Sequence, residues 1–209
     1  DPYEPDELST RVEAYLSDRR SDDYYAARVT LQARFEDLDR AVHVSLTVSD
    51  GPRHRLVIAG DPLPSGAIDD LVPMAREGAA DQDLLEDSTI RIEEYLRAQG
   101  YRDAVAPYSV EDAAGERVIT FTVGRGALYR VARVEISGNV SVPLDDLRAG
   151  LQAAQSRPFS AAGLDADVAA LEDRYRRLGF AAVIVSADVE PDPGAPATPG
   201  EIPLVVRMI

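Results

Sequence analysis

The sequence contains no cysteine, no lysine and no tryptophan, and it has only two histidines in 209 residues. Without cysteine the chain forms no disulfide, thiolate metal site or thiol nucleophile, but the compartment stays open because exported proteins can do without disulfides. Its apolar runs are far shorter than the ~18 residues that a membrane-spanning helix needs. These absences remove thiol enzymes and cysteine-ligated metalloproteins from consideration.

Acidic residues number 37 and arginines 22, which gives a net charge of −15. A surface that binds phosphate needs clustered cations, so we expect no nucleic acid partner and no direct binding to anionic lipid headgroups. The chain opens without a basic and then apolar leader, and Asp1-Pro2-Tyr3 is not a natural start. We therefore expect it to be a fragment of a longer protein.

A pattern of about 75–80 residues recurs along the chain, which predicts a row of small modules. Tyr15, Tyr95 and Tyr175 fall at equal intervals. The other matching stretches are Leu56–Asp61 with Val134–Asn139, Asp69–Leu71 with Asp145–Leu147, and Gly100-Tyr101 with Gly179-Phe180. We expect a partial copy at residues 1–52, containing only a second helix and a hairpin, and complete copies at residues 53–126 and 127–209.

Each complete copy predicts the order strand, helix, helix, strand, strand. In copy two, Gly100 closes the second helix in the left-handed backbone conformation, and a hairpin joins Arg102–Val110 to Arg117–Val123. Pro107 cannot donate to a ladder, so the first hairpin strand is expected at a sheet edge and residues 118–123 at the centre. The predicted apolar helix faces are Leu8, Val12, Tyr15 and Leu16 in copy one, Ile68, Leu71, Val72 and Ala75, then Leu85, Ser88, Ile92, Tyr95, Leu96 and Gln99 in copy two, and Leu164, Val168, Leu171, Tyr175 and Leu178 in copy three.

Copy three predicts a bulge near Ala132-Arg133, because its first strand changes parity there. Ser160 is expected to cap the long helix. The last hairpin pairs Ala181–Val189 with Ile202–Met208, and residues 191–200 form either a mobile tip, which we favour, or a recognition arm.

Copy one predicts a helix at residues 6–20 and a hairpin of residues 24–35 and 41–48 across a turn at 36–40. It lacks a helix-ending glycine, so its turn is the least defined of the three.

The candidates for chemistry have simpler structural explanations. His43 and His54 lie in strand patterns without a neighbouring acid and nucleophile, and the three repeated tyrosines fit an apolar stripe better than a stacking site. Acid pairs could serve as acid–base groups or hard-cation ligands, but we favour the first turn of a helix as their place. These pairs are Asp69-Asp70, Asp145-Asp146, Asp81 with Asp83, and Asp165 with Asp167. The sequence also lacks a phosphate-binding glycine loop, a nucleophile elbow and zinc spacing, so we expect no enzyme activity, no cofactor and no metal.

Copy three carries the fullest form of the repeat. Its features are Tyr129, Val134, Ile136, Gly138, Asn139, Pro158-Phe159-Ser160, Tyr175 and Gly179-Phe180. This pattern resembles the polypeptide-transport-associated (POTRA) domain. The resemblance implies an α+β fold of tandem β-α-α-β-β modules, each a three-stranded mixed sheet covered by two helices.

Tandem modules of this kind are similar to the periplasmic part of the outer-membrane barrel-assembly and translocation superfamily, to which BamA and TamA belong. The resemblance implies a periplasmic location, tethered to the outer membrane of a Gram-negative-type bacterium. Expected partners are unfolded outer-membrane protein clients, the protein's own C-terminal β-barrel, and periplasmic or lipoprotein subunits. The alternative is a structural interaction module of a division-site or other envelope complex.

An exposed sheet edge can accept an incoming chain as an added strand, whereas the plainer interpretation is a solvated edge protected by charges such as Arg102, Asp103 and Asp188. Under the first interpretation the binding residues lie on the first hairpin strand of copies two and three. The candidates are Arg102, Asp103, Ala104, Val105, Ala106 and Tyr108, with Ala182, Val183, Ile184 and Val185.

Overall fold

The structure is a computed structural model that describes residues 4–36, 41–139, 141–196 and 198–209. The helices are α1 (Pro5–Ser21), α2 (Ser65–Leu71), α3 (Met74–Glu77), α4 (Gln82–Ala98), α5 (Leu144–Arg148) and α6 (Ala161–Arg177). The strands are β1 (Arg28–Glu36), β2 (Ala41–Ser49), β3 (Arg53–Gly60), β4 (Tyr108–Ala113), β5 (Glu116–Val123), β6 (Leu128–Ile136), β7 (Ala187–Pro191) and β8 (Glu201–Met208). The order strand, helices, strand, strand is present twice, with α2, α3 and α4 between β3 and β4 and with α5 and α6 between β6 and β7. This order confirms the α+β fold with mixed three-stranded sheets.

The chain divides into two compact units, with the division inside α4. The first unit comprises Asp1–Arg91 and Ala106–Val123, and the second comprises Ile92–Val105 and Gly124–Ile209. The copy boundaries at residues 52 and 126 stay a prediction.

The first unit contains the β1–β2 hairpin and a mixed sheet of order β3-β5-β4. β5 is parallel to β3 and antiparallel to β4, so it lies at the centre and β4 at an edge, as predicted from Pro107. Ile119 and Phe121 of β5 are fully buried. The β-branched and aromatic residues of β5 suit a central strand, which buries Ile119, Phe121 and Val123 on one face.

Two predicted elements of the first unit have different bounds in the structure. The first helix of copy two is broken, since α2 ends at Leu71 and α3 starts at Met74. Pro73 lies between them, where its ring prevents a continuous helical hydrogen-bond ladder. β1 begins at Arg28 rather than at residue 24, because residues 24–27 form a turn in which the Ala27 N–H donates to the Tyr24 carbonyl. The predicted turn at 36–40 lies largely outside the described residues.

The second unit contains a mixed sheet of order β6-β8-β7, in which β8 is central. The pairing of β6 with β8 shifts register between Val131 and Arg133, which confirms the predicted bulge. Ser160 caps α6 by accepting a hydrogen bond from the Gly163 N–H at 3.2 Å, also as predicted. The core beneath the sheet consists of Val131, Val142, Leu147, Ala153, Phe159, Leu164, Leu171, Leu204, Val206 and Met208.

One end of α6 departs from its predicted apolar stripe. Leu164 and Leu171 are buried, but Leu178 lies just past the last helical residue and is 58% exposed. Gly179 takes the left-handed conformation there, as predicted, and turns the chain away from the core. The stripe therefore ends at the half-buried Tyr175, whose ring meets Phe180 at 5.7 Å.

Candidate strand-addition edge and module joints

β4 is one of the two edge strands of the β3-β5-β4 sheet. The Thr122 N–H donates to the Pro107 carbonyl at 2.9 Å, and Ser109 pairs with Thr120 further along. Because hydrogen-bonded residues alternate in an antiparallel pair, the backbone groups of Tyr108, Val110 and Asp112 point away from β5. This edge therefore presents three residues to an incoming chain.

The side chains along the β4 edge are apolar at its beginning and middle and charged at its end. The Tyr108 ring packs on Phe121 with centroids 5.8 Å apart, and Val110 is 44% exposed. At the far end Arg117 donates two hydrogen bonds to the Asp112 carboxylate, at 2.7 and 2.9 Å. This pairing lowers the pKa of Asp112, so the carboxylate stays ionised at neutral pH.

Thr89 limits the β4 edge at its beginning. The Thr89 hydroxyl, on α4, donates to the Ala106 carbonyl at 3.1 Å, and the side chain of Ala106 is fully buried. Pro107 follows and has no N–H to offer. The outward backbone edge of β4 therefore begins at Tyr108.

The edge of β7 is shorter. Ser186 and Ile209 exchange backbone hydrogen bonds at 3.0 Å, so by alternation Ala187 and Val189 face outward. Pro191 ends the strand without a donor. Before β7, the Val185 N–H donates to Glu172 at 3.1 Å, and this bond, together with Arg176, lowers the pKa of Glu172. Strand β7 thus offers two outward residues where β4 offers three.

The structure places few of the candidate binding residues on a strand. Tyr108 lies in β4, and Val105 forms one isolated bridge to Gly124 and is 53% exposed. Each of the two predicted strands began six residues too early. The chain first makes a turn after the helix, and a side chain of α4 or α6 then bonds to the backbone just before the strand. The residues outside the strands are Arg102, Asp103, Ala104 and Ala106 before β4, and Ala182, Val183, Ile184 and Val185 before β7.

Two of these residues form hydrogen bonds within the second unit instead. Ala104 is 1% exposed, and its N–H donates to the Tyr101 carbonyl. Asp103 accepts a hydrogen bond from the Tyr129 hydroxyl at 2.7 Å, which raises the pKa of Tyr129. A binding role for the candidate residues stays a prediction.

Sequence reasoning missed an apolar face on the β1–β2 hairpin. In this antiparallel pair Leu31 lies opposite Leu46, and Ala33 lies opposite Val44. The side chains are accessible, with Leu46 45% and Val48 51% exposed. Strict alternation of apolar residues over both strands was the signal, but a sequence does not show whether such a face is covered.

The second helix of each copy ends in the same hydrogen-bonded turn. Gly100 and Gly179 have φ angles of +98° and +97°, and the N–H of the following residue reaches back five positions to a helical carbonyl. In copy one Asp23 takes this place with φ +69°, and the Tyr24 N–H donates to the Arg19 carbonyl at 2.9 Å. Aspartate is among the few residues that tolerate this conformation, so the turn forms without glycine.

These turns also connect to the strand that begins the next copy. The Asp23 carbonyl accepts a hydrogen bond from the His54 N–H at 2.8 Å, and the Gly100 carbonyl accepts one from the Tyr129 N–H at 2.9 Å. We call the contact of Asp23–Tyr25 with His54 the first joint and the contact of Gly100–Asp103 with Tyr129 the second joint. Each joint lies within one compact unit.

The acid pairs occupy ordinary structural positions. Asp145 and Asp146 lie in the first turn of α5, as predicted, whereas Asp69 and Asp70 lie near the end of α2, so that expectation was wrong. Pro64 takes the position before α2, and so the helix starts four residues ahead of Asp69. Within the described residues there is no group of three or more side chains suited to a metal ion, and no helix is both long and apolar enough to cross a membrane.

Asp167 has a position that its sequence did not reveal. It is 3% exposed, and its two carboxylate oxygens accept hydrogen bonds from the backbone N–H groups of Gln152 and Ala153, at 2.8 and 2.7 Å. The carboxylate thereby ties the segment after α5 to α6. Its role is structural, since buried backbone donors require a partner.

Solved structures resemble the chain at low sequence identity. BamA POTRA domains 3–5 of Haemophilus influenzae share 18% identity, with 99% of this chain and 82% of that chain covered and a TM-score of 0.40. BamA of Haemophilus ducreyi lacking POTRA domains 1–3 shares 17%, with coverage of 74% and 28% and a TM-score of 0.49. The N-terminal domain of Omp85 from the cyanobacterium Thermosynechococcus elongatus shares 15%, with coverage of 99% and 83% and a TM-score of 0.36.

The family comparison gives a more definite result. A search of curated proteins found no match to the chain. The model of the POTRA family, described as "Surface antigen variable number repeat", matches residues 129–207. That range holds α5, α6, β7 and all but one residue each of β6 and β8, the five elements of copy three. Residues 129–207 therefore match the POTRA family, as the repeat pattern of copy three indicated.

Proposed function

We propose that this chain is the periplasmic POTRA region of an outer-membrane β-barrel assembly or translocation protein. In this proposal it has a partial module at residues 1–52 and complete modules at 53–126 and 127–209. It binds unfolded clients by strand addition, without catalysis, and passes them toward a barrel in the full-length protein. The family match on residues 129–207 supports the general role.

The outer edge of β4 carries the mechanistic part of the proposal. Its outward backbone groups, at Tyr108, Val110 and Asp112, can pair with any extended chain, because backbone pairing demands no particular sequence. The exposed Val110 side chain offers apolar contact to alternate residues of the client. Such an edge suits a module that handles many barrel strands of differing sequence.

The test is a titration of isotope-labelled protein with a synthetic ten-residue peptide of alternating polar and apolar residues, the pattern of a transmembrane β-strand. We expect amide shifts that centre on Tyr108, Val110 and Asp112. Shifts confined to helix faces would contradict strand addition. Saturation at one peptide per edge distinguishes this binding from peptide aggregation.

Val110→Pro should weaken peptide binding by about three- to tenfold, because one lost backbone hydrogen bond is worth roughly 0.5–1.5 kcal/mol. The Val110 N–H faces away from β5, so proline there removes no bond within the sheet. Val110→Thr is the matched control, since it keeps the N–H, and its binding should change by less than about twofold. A peptide methylated on alternate amide nitrogens should lose binding to the unaltered protein. Equal binding of the methylated and unmethylated peptides would refute backbone pairing.

A further inference from the structure

The two joints contain equivalent backbone hydrogen bonds, but different side chains pack around them. The first strand of each complete copy donates from its second residue to the left-handed residue of the preceding turn, with His54 in one joint and Tyr129 in the other. At the first joint the His54 ring nitrogen Nδ1 also lies 3.2 Å from the Asp23 carbonyl oxygen. Since a carbonyl only accepts, Nδ1 carries the proton in this bond. One carbonyl of Asp23 therefore holds both the backbone and the ring of His54.

The His54 ring is poorly placed to carry a charge. Its residue is 5% exposed, and the Tyr25 ring lies 5.2 Å away at an angle of 43°. Burial is the main cause that lowers the pKa of His54 from its ordinary value of 6.5, and the bond to Asp23 opposes the shift. Burial also raises the pKa of Tyr25 to about 12, so that ring stays neutral.

Charged groups from several elements lie around the His54 ring. Arg117 opposes its protonation, while Asp112 and Asp23 favour it. The acids are largely paired, because Arg53 donates to Asp23 at 3.0 Å and Arg117 donates to Asp112. The charged residues lining the adjoining cavity are Asp23, Arg53, Arg55, Asp69 and Glu116, from the turn after α1, β3, α2 and β5.

The second joint carries a tyrosine at the position that His54 occupies in the first joint. Tyr129 replaces His54, and its hydroxyl donates to Asp103 at 2.7 Å with the Arg102 guanidinium 5.9 Å from its ring. The hydrogen bond to Asp103 raises the pKa of Tyr129 above 10, so the hydroxyl keeps its proton in acid and at neutral pH.

We propose that the two joints respond differently to pH: mild acid opens the contact of His54 with Asp23, while the contact of Tyr129 with Gly100 stays closed. A protonated ring needs water around its second nitrogen and leaves the pocket beside Tyr25 to obtain it. The ring bond to Asp23 is lost with it, and the backbone bond beside it becomes accessible to solvent. The connection between copies one and two therefore loosens over the pH range in which histidine titrates.

The sign of the effect follows from proton linkage. Because His54 in the closed joint binds a proton less readily than in the open joint, the closed joint is fully stable above the unperturbed value of about 6.5. Its stability falls as the pH drops below that value and levels off below the pKa of the closed form. The direction is opposite to that of a histidine held by a carboxylate.

Amide hydrogen exchange of residues 54 and 129 measures the two joints directly, since their N–H groups form the two bonds. With intrinsic exchange rates divided out, protection of the His54 amide should fall severalfold between pH 7.5 and pH 5.5, while protection of the Tyr129 amide holds. The same NMR samples report the ring titration of His54, which should occur below its ordinary value of 6.5, together with the loss of protection. Constant protection at residue 54 would overturn the proposal.

A reciprocal exchange of side chains provides the controls. His54→Tyr copies the second joint into the first and should remove the pH dependence at residue 54, whereas Tyr129→His should introduce it at residue 129. His43→Gln removes the other imidazole and should change neither joint. Should His54→Tyr keep the full pH dependence, neighbouring carboxylates rather than the imidazole would be responsible. If His54→Tyr does not fold, the ring titration of the unaltered protein still decides the question.

Discussion

Asp167→Ala should lower the free energy of unfolding of the second unit by about 2–5 kcal/mol. The substitution removes the acceptor of two backbone hydrogen bonds, from Gln152 and Ala153. A donor left without a partner in a buried place costs about 1–3 kcal/mol, and bonds to a charged group are worth more than neutral ones. Alanine is itself a good helix former, so the loss is not a helix-propensity effect.

The measurement is urea unfolding followed by tyrosine fluorescence, since the chain has no tryptophan. Asp165→Ala is the matched control, because Asp165 is exposed on the same helix, and it should change the free energy by less than about 0.5 kcal/mol. Asp167→Asn should fall between the two, as an amide keeps one acceptor oxygen but turns a donor toward the other N–H. Near-identical unfolding of Asp167→Ala and Asp165→Ala would show that the buried carboxylate does not hold the segment after α5.

Gly100→Ala should destabilise the second unit by about 2–4 kcal/mol, and Gly179→Ala by only about 1 kcal/mol. Both glycines have nearly the same positive φ, so both substitutions bear a similar backbone strain. At Gly100 an added Cβ would lie 2.8 Å from Pro158 and 3.0 Å from the Tyr129 carbonyl oxygen, whereas at Gly179 it would meet nothing within 4 Å. The difference between the two variants therefore isolates the packing of the second joint.

Thermal and urea unfolding of both variants give that difference, and amide exchange at Tyr129 locates it. We expect faster exchange of the Tyr129 amide in Gly100→Ala and an unchanged rate in Gly179→Ala. Equal destabilisation by the two substitutions would mean that backbone strain alone sets the cost and that the second joint is loosely packed.

The sequence was most informative where a rule of local structure acts alone. Pro107 placed a strand at the sheet edge, Ser160 marked the start of α6, and a change of parity located the bulge at Val131–Arg133. Each of these depends on the hydrogen-bonding capacity or the side-chain direction of a few neighbouring residues, which a sequence shows directly.

It was less informative where tertiary contacts decide. Asp23 adopts the left-handed conformation of Gly100 and Gly179. The sequence could not predict this, because hydrogen bonds on both sides of the turn hold Asp23 in place. The burial of Asp167 and His54 depends on segments distant in sequence, which a local pattern does not show. The edge strands started later than predicted because side chains of two helices bond to the backbone before them, Thr89 of α4 to the Ala106 carbonyl and Glu172 of α6 to the Val185 N–H.

The candidate site shows the same division. That β4 is an edge strand could be predicted, but the side chains that face outward could not, because the outward parity depends on the register with β5. In copy two, the candidate binding surface thus moved from residues 102–108 to the outward-facing positions between residues 108 and 112. The Thr89 contact that closes the beginning of that edge joins two elements that no local pattern connects.

The most direct test of the account is an isotope-edited NOE experiment on the labelled protein with the unlabelled ten-residue peptide bound. The account predicts close proton contacts between the peptide backbone and the backbone of Tyr108, Val110 and Asp112, spaced as in a regular β-ladder. Contacts from the peptide to the β1–β2 hairpin face or to helices alone, with none to these three residues, would contradict it.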